Sequence, residues 1–169
     1  IPFCKQQCNY CDFHFSTSIN NKNKLIESLL LEMKIRKPFV NCANIRTIYL
    51  GGGTPSILSY QEIMRILDGI SQYYQLDNDI EITLEANPDD LTSKKIQELR
   101  NTPINRFSIG VQSFHEEDLK YMNRAHNVSE AFESIKNVQN AGWNNITTDL
   151  IYGTPTLNND KWQQNLEYI

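Results

Sequence analysis

Strand-like and helix-like segments alternate along this chain, and that alternation constrains its fold more than any other feature. Apolar residues at helical spacing in "NKLIESLLLEMKIRK" predict a helix from about residue 22, with Leu25, Leu29 and Met33 on one face. "RTIYL", "DIEITLEA", "NRFSIGVQS" and "NITTDLIYG" predict strands, each followed by a helical segment. Repeated strand–helix units predict an α/β fold with a parallel sheet and right-handed helical crossovers.

Two capping patterns mark predicted helix starts. Ser59 with Glu62, and Ser113 with Glu116, have the spacing of a capping box, so a helix is predicted after each serine. The helix in "SEAFESIKNVQNA" is predicted to end near Gly142, since glycine is a common C-cap.

Several predicted strands have one apolar face and one polar face. The polar faces hold Glu81, Thr83, Glu85, Ser108, Gly110, Gln112, Thr147 and Asp149. Strands covered by helices on both sides are normally apolar throughout, so a polar face predicts a curved sheet or barrel around a polar cavity. Glu85, Gln112 and Asp149 lie at or near strand carboxyl ends, where α/β barrels have their active sites. An antiparallel sheet with one solvated face is the alternative, but it conflicts with the crossovers.

Composition excludes some classes of protein. The chain of 169 residues is 40% hydrophobic, with 16 Lys and Arg against 20 Asp and Glu. The net charge of -4 and the lack of a basic run argue against nucleic-acid binding or general membrane-surface binding. No apolar stretch approaches the roughly 20 residues of a membrane span. We expect a single cytoplasmic domain, because the cysteine content suits a reducing compartment.

Three of the four cysteines lie in one short segment. Cys4, Cys8 and Cys11 form a C-x3-C-x2-C pattern with aromatic neighbours. Such spacing is typical of iron–sulfur ligation, and three thiolates would leave one metal position open for a ligand. A zinc site that adds His14, and a structural or oxidised loop, are the alternatives. Cys42 is interpreted as a buried or idle thiol.

The segment "YLGGGTPS" follows a predicted strand and precedes a capped helix. It lacks the Lys-Ser or Lys-Thr of a P-loop, and Ser56 stands where a dinucleotide motif needs Gly or Ala. Three consecutive glycines allow close approach of a ligand to the backbone, although a tight turn would also explain them.

The ordered motifs resemble a known family. "IPFCKQQCNYCDF", "GGGTPS", "EANP", "NRFSIGVQSF", "RAH" and "DLIYGTP" are similar to motifs of the radical S-adenosylmethionine superfamily. Within it they resemble the oxygen-independent coproporphyrinogen III oxidase-like family, in its HemW-type heme-chaperone branch. The resemblance implies a partial (β/α) barrel, incomplete at both ends, that binds a 4Fe–4S cluster and S-adenosylmethionine, with heme a ligand of the full-length protein.

The resemblance also implies residue roles. Cys4, Cys8 and Cys11 would ligate three irons, and S-adenosylmethionine would chelate the fourth. The implied S-adenosylmethionine contacts are Tyr10 beside the adenine, Gly52, Gly53 and Thr54 at the methionyl end, Glu85, Gln112, Arg124 and Asp149. By its own sequence context Arg124 looks like a solvated helix charge. His14 and His115 are interpreted as surface or supporting residues, and His126 as either structural or cavity-facing.

Two functional classes follow from the resemblance. One is a heme chaperone that delivers heme to an acceptor protein; the other is a radical enzyme that oxidises coproporphyrinogen III. The oxidases have a further cysteine two positions after the third, where this chain has Phe13, as in the chaperone branch. An electron donor is implied in both cases, with no nucleic-acid partner and with membrane contact only through acceptors.

The resemblance covers only the amino-terminal part of such proteins. The strand that precedes "IPFC" in the family, a later barrel strand and the heme motif H-N-x-x-Y-W are not found in this sequence. We therefore expect residues 1–169 to be the core domain of a longer protein whose carboxyl-terminal domain is absent here.

Overall fold

A computed structural model describes residues 1–40 and 44–169 of the chain. Cys42 lies outside the described residues. The helices are α1 (Lys22–Arg36), α2 (Tyr60–Tyr73), α3 (Ser93–Leu99), α4 (Glu116–Tyr121), α5 (Val128–Asn140) and α6 (Asn159–Glu167). The strands are β1 (Ile45–Leu50), β2 (Leu76–Ala86), β3 (Arg106–Gln112) and β4 (Ile146–Leu150). Within the described ranges, no helix is long and apolar enough to cross a membrane.

The four strands form one parallel sheet in the order β1-β2-β3-β4, and helices connect successive strands. Tyr49 pairs with Thr83, Glu85 with Ser108, and Ser108 with Thr147. The predicted partial barrel with parallel strands and helical crossovers is confirmed, and the predicted polar faces of neighbouring strands lie in register.

The opposite face of the sheet packs on the helices. Leu84, Phe107, Ile109 and Val111 are fully buried there and belong to the main hydrophobic core. The indole of Trp143 stands edge-on to Phe107, with ring centroids 5.0 Å apart. Burial of this face fixes the register, since a one-residue slip would expose every core side chain.

The observed helix starts confirm one of the two predicted capping boxes and contradict the other. Ser59 and Glu62 form the predicted capping box of α2. The prediction for Ser113 is wrong, because α4 begins after His115, and the Ser113 hydroxyl donates instead to buried Asp118 at 2.7 Å. A capping box that the sequence reading overlooked, Asn127 with Glu130, starts α5.

Candidate functional site

A cavity of about 500 Å³ lies at the carboxyl ends of the strands. Every residue that the sequence singled out for cofactor or metal binding lines it: Cys4, Cys8, Tyr10, Cys11, Gly52, Gly53, Thr54, Glu85, Gln112, Arg124 and Asp149. Phe13, His14 and Asn87 line it too. The fold thus brings six separate chain segments together, and the chemical role of each residue remains a prediction.

The start of the cysteine segment is attached to the glycine loop that follows β1, where the Gly53 backbone N–H donates to the Ile1 carbonyl at 2.8 Å. Phe3 is buried and forms a parallel bridge with Ser16, and the Cys4 backbone N–H donates to the Ser16 carbonyl at 3.0 Å. Gly53 passes so close that an added Cβ would lie 2.9 Å from Cys4 Sγ. This approach requires glycine at position 53, whatever ligand the loop binds.

The middle of the cysteine segment is attached to the linker between α4 and α5. The Asn9 backbone N–H donates to the Met122 carbonyl at 2.9 Å. The Gln6 amide donates to the Asn123 carbonyl at 2.9 Å, and Asn123 Nδ2 donates to the Gln7 carbonyl at 2.7 Å. These reciprocal bonds hold Cys8 next to the linker.

Arg124, in this linker, is placed inside the site rather than in solvent. Its guanidinium donates to Cys8 Sγ at 3.3 Å, to the Tyr10 hydroxyl at 3.0 Å, to Asn87 Oδ1 at 2.8 Å and to the Gly110 carbonyl at 2.8 Å. Partial burial raises the pKa of Tyr10 to about 12, against the opposing effect of the Arg124 charge. Tyr10 is therefore a neutral hydrogen-bonding group at physiological pH.

The first cysteine has its own polar partner. Thr54 is buried, and its hydroxyl donates to Cys4 Sγ at 3.4 Å. Burial raises the pKa of the Cys4 thiol, while the Thr54 hydrogen bond acts in the opposite direction. Two of the three cysteine sulfurs therefore accept hydrogen bonds from cavity residues.

Glu85 joins the glycine loop to β1. Its carboxylate accepts from the Tyr49 hydroxyl at 2.8 Å and from the Gly52 backbone N–H at 3.1 Å. Burial and the hydrogen bond to Glu85 raise the pKa of Tyr49. The carboxylate is held at the cavity wall with its charge facing the space beside the glycines.

Gln112 and Asp149 complete the wall on the other side. Gln112 has a left-handed backbone with φ 68, and the pairing of β3 with β4 shifts register between Ile109 and Gln112. A left-handed non-glycine residue is uncommon and costs free energy. The Ser108 hydroxyl donates to Asp149 Oδ2 at 3.3 Å.

His126 supports this kink from below the cavity surface. It is 3% exposed, and its Nε2 lies 3.0 Å from the carbonyl oxygen of Val111, the residue before Gln112. Burial lowers the pKa of His126 to about 4. The imidazole is therefore neutral and donates from Nε2 to the backbone. This contact is consistent with the structural interpretation of His126.

An ion-pair cluster fixes the residue after Cys4. Lys5 Nζ contacts Asp89 Oδ2 at 2.7 Å and also Asp90, whose Oδ2 accepts from the Ser56 hydroxyl at 2.6 Å. Burial opposes the charge on Lys5, but the hydrogen bonds to both carboxylates outweigh it and raise the pKa. The cysteine segment, the glycine loop and the loop after β2 are joined at this point.

The cavity lining contains the three thiols and the imidazole of His14 as possible metal ligands. Among the described residues, no group of three or more His, Cys, Asp or Glu side chains is arranged to hold one metal ion. The zinc alternative with His14 is therefore not supported. The thiols of Cys4, Cys8 and Cys11 are free rather than oxidised. In an iron–sulfur cluster each cysteine binds a different iron, so the ligands stand further apart than around one zinc ion.

Comparison with known proteins identifies the family. The chain matches the Radical SAM superfamily over residues 1–169. It belongs to the radical SAM superfamily. This membership implies a 4Fe–4S cluster and S-adenosylmethionine as cofactors.

Within the radical SAM superfamily, the chain is similar to several curated heme chaperones. The "Heme chaperone HemW" of Lactococcus lactis is 40% identical over 156 residues, which are 92% of this chain and 40% of the relative. The protein of the same name from Escherichia coli is 36% identical over 158 residues, 92% of this chain and 42% of the relative. The chain thus spans about 40% of the length of the curated relatives that it matches.

A solved structure supports the same fold. The coproporphyrinogen III oxidase HemN from Escherichia coli, described as a radical SAM enzyme, superposes with a TM-score of 0.89 at 27% identity. The alignment covers 99% of this chain and 39% of the oxidase. HydG, a maturase of the [FeFe]-hydrogenase, has a TM-score of 0.69 at 16% identity and shows the fold alone.

Sequence reasoning missed several residues of the site. Asn87 contacts Arg124 and Thr54, Tyr49 contacts Glu85, and Asn123 holds the cysteine segment. Asn87 immediately follows β2, so its position at a strand's carboxyl end was an available signal. Nothing in the local sequence indicates the role of Asn123.

Proposed function

We propose that this chain is the cluster- and cofactor-binding domain of a radical SAM heme chaperone. The full protein would bind heme and transfer it to an acceptor protein. The observation that carries the proposal is Phe13, which stands two positions after the third cysteine, where the resembling oxidases have a cysteine. Its phenyl ring is 77% exposed and lines the cavity. The 40% identity to a heme chaperone supports the same assignment.

We assign the cysteines to the cluster on the basis of their surroundings. Cys4, Cys8 and Cys11 are free thiols on one side of the cavity, and the Thr54 hydroxyl and the Arg124 guanidinium donate to two of the sulfurs. Both groups can donate hydrogen bonds to thiolates, the form in which cysteine ligates iron. When bound, the cluster supplies the electron for reductive cleavage of S-adenosylmethionine.

The remaining cavity residues are assigned to S-adenosylmethionine. The backbone of Gly52 and Gly53 allows close approach of the methionyl end, and the Glu85 carboxylate provides a negative charge beside a cationic cofactor. Tyr10 offers a ring for the adenine. Gln112, Arg124 and Asp149 provide further polar groups in the cavity, which suits either the same molecule or a second one.

The alternative function is oxygen-independent oxidation of coproporphyrinogen III. The close superposition on HemN favours it at the level of the fold. Phe13 argues against it, because a phenyl ring neither donates a proton nor ligates a metal.

Three free cysteines suit a reducing compartment, and we therefore propose that the protein is cytoplasmic. We propose an electron donor and a heme acceptor as its partners, and no nucleic acid.

The cluster assignment is tested on the full-length protein. After anaerobic reconstitution with iron and sulfide, wild type should hold about four irons per chain, and Cys8→Ala should lose most of them. Cys42→Ala is the matched control and should retain the wild-type content. A colourless wild-type protein with one stoichiometric zinc would overturn the assignment.

A second assay separates the chaperone from the oxidase. The reconstituted full-length protein, with reductant and S-adenosylmethionine, should retain heme on gel filtration and leave coproporphyrinogen III unchanged on chromatography. Conversion to protoporphyrinogen IX above a cluster-free control would favour the oxidase instead. Failure to retain heme would also count against the chaperone.

A further inference from the structure

A chain of hydrogen bonds joins the sulfurs of Cys4 and Cys8. Thr54 Oγ1 donates to Cys4 Sγ at 3.4 Å, and Asn87 Nδ2 donates to Thr54 Oγ1 at 3.4 Å. From the other end, Arg124 Nη2 donates to Asn87 Oδ1 at 2.8 Å, and Arg124 Nη1 donates to Cys8 Sγ at 3.3 Å. Asn87 is the central link between the two sulfurs.

The orientation of the Asn87 amide determines where each proton points. Because Nδ2 donates to the Thr54 oxygen, the hydroxyl proton of Thr54 is available for Cys4. With the amide reversed, Oδ1 would accept that proton, and Nδ2 would face the guanidinium of Arg124 as donor against donor. The observed arrangement is thus the one that directs donors to both sulfurs.

The surroundings of Asn87 keep this orientation. Its backbone N–H donates to Ser56 Oγ at 3.2 Å, and the Ser56 hydroxyl itself donates to Asp90. Arg124 Nη2, which donates to Asn87 Oδ1, also donates to the Gly110 carbonyl at 2.8 Å and is thereby fixed against β3. Asn87 is held by the backbone on one side and by the guanidinium on the other.

We propose that Asn87 is a positioning residue that raises the reduction potential of the cluster by directing Thr54 and Arg124 at its cysteine ligands. The inference rests on the proposed function, since it requires that these cysteines hold a 4Fe–4S cluster. Reduction transfers one electron from an external reductant to the cluster and increases the negative charge on its thiolates. Hydrogen bonds to ligand sulfurs stabilise that charge, so their loss makes the cluster harder to reduce.

The test is a potentiometric titration of the full-length reconstituted protein with dithionite, without S-adenosylmethionine, followed by electron paramagnetic resonance. In Asn87→Asp the residue keeps its size and its contact with Arg124, but the carboxylate accepts the Thr54 proton and adds negative charge. We expect the reduction potential to become more negative by at least about 59 mV. For one electron this corresponds to a tenfold change in the equilibrium constant for reduction. Asn144→Asp, an exposed position before β4, makes the same charge change and should leave the potential at the wild-type value.

Thr54 variants test whether Asn87 acts through its neighbour. Thr54→Val removes the hydroxyl and should lower the potential, whereas Thr54→Ser keeps the hydroxyl and should restore the wild-type value. In the double variant Asn87→Asp/Thr54→Val the shift should be smaller than the sum of the two single shifts, because both remove the same bond to Cys4. If Asn87→Asp fails to hold a cluster, Asn87→Ala replaces it, since this variant removes the amide without adding a charge and should also lower the potential.

Two results separate the possible failures. Equal potentials in wild type, Asn87→Asp and Thr54→Val, at equal iron content, would overturn this inference and leave the proposed function standing. A wild-type protein that holds no cluster would overturn the proposed function, and this inference with it.

Discussion

His126 gives this domain a specific dependence of stability on pH. The side chain is 3% exposed, Nε2 bonds the Val111 carbonyl, and Nδ1 has no hydrogen-bond partner in the described part of the chain. Burial and then the charge of Arg124 lower the pKa of His126 to about 4. The Val111 bond and the charges of Asp89 and Glu116 favour the proton but are outweighed.

The size of the effect follows from the two pKa values. His126 in the unfolded chain has a pKa near 6.5, against about 4 in the folded chain. Above pH 6.5 the imidazole is neutral in both states, so its titration does not affect stability. As the pH falls from 6.5 towards 4, the unfolded state takes up a proton that the folded state does not, and the free energy of unfolding decreases. At about 1.4 kcal/mol per pKa unit the full decrease, reached below pH 4, is about 3.5 kcal/mol.

The matched variant is His126→Gln, whose amide can still donate to the Val111 carbonyl but does not titrate. Urea unfolding of both cluster-free proteins under reducing conditions, at pH 7.5 and 4.5, gives the two free energies. Wild type should lose about 2.5 kcal/mol more than the variant over this interval, and titration of the shared carboxylates cancels in the difference. Parallel pH profiles of the two proteins, within about 0.5 kcal/mol, would refute a buried neutral His126.

Three further predictions concern the cavity and the helix that follows it. Glu85→Gln should weaken S-adenosylmethionine binding more than tenfold at unchanged iron content, because it removes the charge beside the glycine loop; equal affinity in equilibrium dialysis would remove Glu85 from the site. Gly110→Ala should also weaken S-adenosylmethionine binding, since its Cβ would lie 2.8 Å from Gln112 Nε2 and would displace the Gln112 amide. Unchanged affinity would contradict a contact between that amide and the cofactor. Asn127→Ala should lower the free energy of unfolding by about 1 kcal/mol through loss of the α5 cap. Asn127→Ser should recover most of that loss, and equal stability of both variants would contradict the capping role.

Hydrophobic periodicity predicted the strands of the sheet, because the buried face of a strand accepts few residue types other than apolar ones. Alternation in β3 places Phe107, Ile109 and Val111 in the core, and all three are fully buried. Capping patterns predict helix starts less well, because the serine hydroxyl can form a hydrogen bond with a group outside the helix. Ser113 does so, since its hydroxyl donates to buried Asp118 rather than to the start of α4. Here a tertiary hydrogen bond prevails over a local pattern.

The site was predictable where it depends on strand ends and not where it depends on long-range contacts. Glu85, Gln112 and Asp149 line the cavity because their positions on alternating strands determine where they point. Arg124 reaches Cys8 across 116 residues of sequence, and no local pattern encodes that contact. The family resemblance predicted a cofactor contact for Arg124. It predicted no role for Asn87, although Asn87 is part of the "EANP" motif.

The three cysteines differ in how the protein holds them, and this difference has a consequence for cluster binding. Cys4 is bonded both within its own segment and to the glycine loop after β1, with its N–H bonded to Ser16 and its sulfur bonded to the buried Thr54. Cys8 depends on the linker between α4 and α5, through the exposed bonds of its neighbours and through Arg124. Cys11 has a local bond from its own N–H to the Cys8 carbonyl at 3.2 Å.

Exposed hydrogen bonds contribute little net stability, about 1 kcal/mol each, because water replaces them readily. The position of Cys4 is therefore fixed beside the buried Thr54 of the glycine loop, while the positions of Cys8 and Cys11 depend on weaker contacts that a bound cluster would reinforce. Asn123, which holds Cys8 through the backbone of Gln7, belongs to the weaker group. Changes in the linker should consequently affect the second and third ligands more than the first, even though the linker is remote in sequence from all three.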